Sequence, residues 1–87
     1  MALQILDENR TVGKHIEFVH EGTLDDDTKL FSVYALKDGF FLGEVEWFPD
    51  WKQFVFSPAD NTVESPTCLR DIADFCEMQT KNKEKPA

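Results

Sequence analysis

Three sets of polar side chains in this 87-residue chain have types that can do chemistry: His15 with His20, the run Asp25-Asp26-Asp27, and Cys68 with Cys76. Their spacing argues against each use. Two histidines five residues apart on a strand point to opposite faces, so they do not converge on a metal ion. The aspartate run lacks the alternating spacing and closing glutamate of a calcium loop and reads as a solvated turn. Cys68 and Cys76, eight residues apart on one helix, lie roughly 12 Å from each other. An intrachain disulfide needs Cα atoms within about 7 Å. Without a further Cys or His pattern they make no zinc site, and they read as small core residues. There is no glycine-rich phosphate loop, and no serine or threonine is patterned with a base. The expectation is a chain without catalytic residues, metal or cofactor, and not an enzyme.

What stands out is aromatic. Leu42 to Pro58 holds both tryptophans and three of the eight phenylalanines (Phe48, Phe54, Phe56) within 17 residues. Such density either builds the core of a small domain or forms a surface that meets a partner. Two readings of Trp47 and Trp51 stay open. They form a cross-strand pair closing one end of the core, or Phe48, Trp51 and Lys52 sit on a turn and present a flat aromatic patch.

Composition bounds the setting. A chain of this length makes one domain, near the size at which a single core only just suffices. Hydrophobic residues at 41% and aromatics at 13% argue for a folded domain. No apolar run approaches the roughly 20 residues of a membrane span, and Met1 to Thr11 lacks a signal peptide's apolar stretch. A soluble, cytoplasmic protein is expected. Seventeen acids against nine bases give a net charge of −8. Residues 1–80 carry six bases and sixteen acids, or −10, and residues 81–87 form a small basic tail. Such a domain repels phosphate backbones, which argues against nucleic acid as a direct partner. Solubility explains the acidity, as does a face that docks on a basic protein surface.

The elements that must position these residues are strands followed by a helix. Met1 to Gly13 has no clear period and stays open between an edge strand and a loose arm. Lys14 to His20 alternates and reads as a strand, and Glu21 to Thr28 as a loop. Leu30 to Lys37 and Phe40 to Trp47 flank Asp38-Gly39, a strong hairpin signal. Trp51 to Ser57 is a fourth strand after a turn on Phe48-Pro49-Asp50. Ser65-Pro66 opens a helix with a capping hydroxyl and a proline at its first position. At 100° per residue Cys68, Leu69, Ile72, Ala73, Phe75 and Cys76 fill an arc of about 160°, so that helix is amphipathic. The expected fold is α+β, an antiparallel sheet of about four strands (β-β-β-β-α) with the helix packed on one face. Residues 1–80 form the domain and 81–87 a frayed tail.

A two-residue loop at Asp38-Gly39 would pair Leu36 with Phe41 and Ala35 with Leu42. That register sets Phe31, Val33, Ala35, Phe40 and Leu42 on one face with Glu44 and Glu46, later joined by Phe54 and Phe56. If Trp47 pairs with Trp51, Lys52 falls opposite Glu46. One helix covers one face, so the other needs the N-terminal segment, a second copy or a partner. A homodimer or a partner surface is expected there. The candidate binding residues are Phe48, Trp51, Lys52, Phe31, Glu44, Glu46 and Phe54.

The pattern Leu42-Gly43-x-Val45-x-Trp47-Phe48-x-x-Trp51-Lys52-x-Phe54-x-Phe56-x-Pro58, followed by Cys68-Leu69-x-Asp71-Ile72-Ala73-x-Phe75, resembles small uncharacterised proteins of bacteriophages and prophages. The likeness covers about a third of the chain. It departs from that pattern with Lys52 where arginine is usual and Phe54 where tyrosine is common, which weakens any case for a bidentate or hydroxyl-dependent contact there. The resemblance implies a genomic context and no activity. The function expected is therefore that of a non-enzymatic phage accessory protein that binds a host or phage protein. The specific version is inhibition of a host nucleic-acid-handling protein through the acidic surface. The alternatives are a nucleic-acid-binding module stacking bases on sheet aromatics and a small component of the virion or its assembly.

Overall fold

The computed structural model describes residues 3–23 and 28–84. The strands are β1 (Gln4–Ile5), β2 (Arg10–Val12), β3 (Ile16–Thr23), β4 (Lys29–Ala35), β5 (Phe41–Phe48) and β6 (Gln53–Pro58), and they precede one helix, α1 (Pro66–Glu84). Each strand pairs antiparallel with the next, so the sheet runs in order from β1 to β6. The α+β class with one antiparallel sheet and one C-terminal helix is as expected, but the strands number six and not about four. The two additional strands come from the N-terminal segment. They are two and three residues long, too short for an alternating pattern. Pairing holds them, with Gln4 opposite Val12 and Thr11 opposite Phe18. The Asp7 carboxylate accepts the N–H groups of Asn9 and Arg10 and closes the turn between them. The Asp25-Asp26-Asp27 run lies outside the described residues.

Both long hairpins differ from the expected register. The β4–β5 loop is five residues, Leu36 to Phe40, closed by Gly39 N–H to Ala35 C=O (2.8 Å) and Ala35 N–H to Phe40 C=O (2.9 Å). Gly39 takes the left-handed conformation at φ 73°, which glycine adopts without strain. Tyr34 therefore pairs with Phe41, and Val33 with Gly43, with Leu42 as the extra residue of a bulge. The β5–β6 loop is four residues, Pro49 to Lys52, so Trp47 pairs with Phe54 and Glu46 with Val55. Lys52 sits inside that turn at φ 52° and does not oppose Glu46. A change of register by one residue exchanges the two faces of a strand. Glu44 and Glu46 accordingly lie on the face opposite Phe31, Val33 and Phe54.

The core forms between the other face and the helix: Ile16, Phe18, Phe31, Val33, Leu42, Val45 and Phe54 from the sheet, Ile72 and Phe75 from α1. Phe75 stacks on Phe18 with centroids 4.0 Å apart and meets Phe31 edge-on at 4.9 Å. Gly43 is obligatory here. Its φ is 149°, and a Cβ on it would lie 2.4 Å from the Ser57 carbonyl oxygen and 2.9 Å from the Phe56 ring.

Helix α1 starts as expected, with the Ser65 hydroxyl accepting the Cys68 N–H at 3.2 Å. Its buried stripe is turned from the expected one. Leu69 and Ala73 are exposed, and Asp71 is 2% exposed. The Asp71 carboxylate is buried because it accepts the Lys14 backbone N–H at 2.9 Å, a partner 57 residues away. The helix continues through residues 81–84. Lys83 fixes that end, donating to the Thr28 hydroxyl at 3.3 Å and lying 5.0 Å over the Trp47 ring.

Candidate functional site

The helix covers one side of the sheet, and among the described residues no element packs on the other. Alternation from the buried positions assigns its outer rows. These are Arg10 and Val12 on β2, Glu17, Val19 and Glu21 on β3, Leu30, Ser32 and Tyr34 on β4, Phe41, Glu44, Glu46 and Phe48 on β5, and Gln53, Val55 and Ser57 on β6. Four carboxylates thus share a surface with one guanidinium. Arg10 is already engaged, forming with Glu17 the one salt bridge among the described residues. That hydrogen bond and the charge of Glu17 hold the Arg10 guanidinium more firmly protonated. Glu21 accepts from the Tyr34 hydroxyl at 3.3 Å, and Glu46 from the Ser57 hydroxyl at 2.9 Å. These are neutral donors, so the negative charge of Glu21 and Glu46 stays uncompensated there.

The β5 row ends at the aromatic turn. Phe48 follows Glu44 and Glu46 on the same face, and the Trp51 ring meets Phe48 edge-on with centroids 4.7 Å apart. Trp51 is 66% exposed, while Phe48 is half-buried beneath it. Glu44, Glu46, Phe48 and Trp51 form a continuous strip about four strand positions long. Carboxylates lie at one end and an exposed indole at the other. An amphipathic ring that is open to solvent yet braced by a neighbour suits the anchor of an interface.

The candidate residues divide. The fold brings Glu44, Glu46, Phe48 and Trp51 together and adds Lys52, exposed at the same turn. It removes Phe31 and Phe54, each 5% exposed beneath α1. Trp47 and Trp51 do not pair across the strands. Trp47 packs edge-on against Phe54 at 5.5 Å on the helix side. Glu17, Glu21 and Arg10 join the outer face although the sequence reading did not single them out. The i, i+2, i+4 spacing of Glu17, Val19 and Glu21 is the available signal.

Other chemistry is sparse. Among the described residues no three His, Cys, Asp or Glu side chains cluster as metal ligands do. His20 lies on the helix side, its Nε2 2.8 Å from the Gly22 carbonyl oxygen and its ring 5.6 Å from Phe31. Burial pushes the Cys76 thiol up to about 11, with the charge of Glu77 adding to the effect, so it is a poor nucleophile at neutral pH. No described helix is long and apolar enough to cross a membrane. Compared with protein-family models, curated proteins and solved structures, the chain matches none.

Proposed function

We propose that this chain is a non-enzymatic phage or prophage accessory protein. It binds a protein partner through the outer sheet face and, by presenting carboxylates where that partner normally meets phosphates, blocks a host nucleic-acid-handling protein. One observation carries the reading: the strip of Glu44, Glu46, Phe48 and Trp51, set in a face of four carboxylates and one engaged arginine and uncovered by the helix. Charge complementarity steers such a face toward a basic surface, and the braced indole supplies an apolar anchor. The residue pattern shared with small phage proteins supports the setting. The same carboxylates oppose direct binding of DNA or RNA.

The test is affinity capture from bacterial lysate with the native chain and with the double variant Glu44→Lys/Glu46→Lys. Bound material is then challenged with duplex DNA. The expected result is a partner held by the native chain, lost by the variant, and displaced by DNA. An identical set of proteins on both baits would overturn the reading. So would tight, salt-sensitive binding of oligonucleotide to the chain itself.

A further inference from the structure

Strand β6 ends the sheet, and among the described residues no strand pairs on its far side. It is a hazardous edge. Its six residues, Gln53 to Pro58, include no charged side chain, although 30% of the chain is charged. Phe54, Val55 and Phe56 are strong strand formers. An uncharged apolar edge is a template for pairing with another chain, and native proteins blunt such edges with charge, proline or cover. The other edge, β1, is blunted by its length of two residues. β6 needs a different protection.

Register shows which backbone groups of β6 are open to pairing. The Phe54 N–H points away from β5, because it donates to the Thr80 hydroxyl of α1 at 3.0 Å. The Ala59 N–H, on the opposite parity, turns inward to the Leu42 carbonyl at 2.9 Å. These groups alternate in direction along an antiparallel strand, so Phe54, Phe56 and Pro58 aim theirs outward. Pro58 has no N–H to give. Thr80 occupies the Phe54 N–H and is itself fixed, donating to the Cys76 carbonyl at 2.8 Å. Among the described residues the Phe56 N–H is then the one outward donor left on β6. In a two-fold pairing that sets Phe54 opposite Phe56 of a second copy, Phe54 would donate half of the ladder's hydrogen bonds. Around this contact α1 does not close on the strand. An open cleft of about 260 Å³ lies there, lined by Gln53, Phe54, Cys76, Glu77, Thr80 and Lys81, and the hydroxyl bridges it.

We infer that Thr80 is an autoinhibitory contact: its hydroxyl holds the Phe54 N–H and so keeps β6 from pairing antiparallel with β6 of a second copy. Pro58 and Thr80 together do for this edge what charged side chains do elsewhere. This inference is independent of the acidic-face reading, because the edge groups of β6 lie in the plane of the sheet and not on its outer face.

The experiment compares the full native chain with Thr80→Val, similar in size but without the hydroxyl, and with Thr80→Ser, which keeps it. Amide NMR, hydrogen exchange and sedimentation are read from about 10 μM to 1 mM, the range in which weak pairing registers. In the native chain and Thr80→Ser the Phe56 amide shift should not move with concentration. In dilute Thr80→Val the Phe54 amide should exchange roughly tenfold faster or more, the scale of one lost hydrogen bond. At higher concentration that variant should approach the mass of a dimer, with its Phe56 amide newly protected. A Thr80→Val chain that stays monomeric at about 1 mM would overturn the proposal. So would a dimer whose Phe56 amide is no better protected than in the native chain. Concentration-dependent Phe56 shifts in the native chain would overturn it without any variant.

Discussion

The clasp between Gly13 and Asp71 allows a double-mutant test of how the helix is seated. Asp71 is 2% exposed, and its Oδ2 accepts the Lys14 N–H at 2.9 Å. A Cβ on Gly13 would sit 2.3 Å from that same oxygen, 2.8 Å from the carboxyl carbon and 3.1 Å from the Asp71 Cβ. Asp71→Ala leaves a backbone N–H without its acceptor and removes a charge-assisted bond, a loss of about 1.5–3 kcal/mol. Gly13→Ala keeps its backbone conformation but forces the carboxylate aside, an overpacking cost of about 1–3 kcal/mol. For a domain of this size each kcal/mol moves Tm by roughly 4–8 °C, so either change is measurable. The two are not additive. Once the carboxylate is gone, the nearest atom left to the new methyl is the Cβ at 3.1 Å, and most of the clash disappears. The double variant should be at least about 1 kcal/mol more stable than the sum of the single losses, in urea unfolding with m unchanged. Additivity within about 0.5 kcal/mol would refute the packing described for α1.

Further outcomes follow from single residues. Gly43→Ala, strained in φ and blocked by the Ser57 carbonyl at 2.4 Å, should cost about 2 kcal/mol or more in thermal unfolding. Phe75→Ala removes the ring that stacks on Phe18 and meets Phe31. It should cost about 3–5 kcal/mol, lowering Tm by roughly 12 °C or more in circular dichroism. Trp51→Ala, at an exposed turn, should leave urea stability within about 1 kcal/mol of the native chain while abolishing partner capture; unfolding instead would make the indole structural. The Cys76 thiol is raised from its ordinary 9.0 to about 11 in the folded chain. The folded state therefore binds more protons than the unfolded state between those values. Its contribution is complete below about pH 9 and is lost as pH rises toward 11. A Cys76→Ala variant should show a flatter decline over that window.

The sequence located turns better than registers. Asp38-Gly39 marks the β4–β5 reversal correctly, because glycine is needed at φ 73°. The dipeptide does not encode that Gly39 sits in a five-residue loop, nor that Leu42 bulges. Loop length sets register, and register sets faces, so one unreadable detail moved Glu44 and Glu46 away from Phe31 and Phe54. Ser65-Pro66 gave the helix start because a cap and a proline act locally. Asp71 falls outside the apolar arc of Cys68 to Cys76 and is buried all the same, because its partner, the Lys14 N–H, is distant in sequence. β1 and β2 were illegible for a similar reason, since their order comes from β3 and not from their own pattern. Within the candidate site, Phe48 and Trp51 are legible from the aromatic density of Leu42 to Pro58 and from the proline turn between them. Their continuity with Glu44 and Glu46 depends on β5 parity beyond the bulge.

Methyl NMR of the complex with the captured protein reads directly whether the partner seats on the outer sheet face. Val19, Leu30 and Val55 report on the outer face, Val33, Val45 and Ile72 on the core, and Leu69 on the exposed side of α1. The Val19, Leu30 and Val55 methyls and the Trp51 indole should shift while Leu69 stays in place. Shifts at Leu69 with Val19, Val55 and Trp51 unmoved would contradict it.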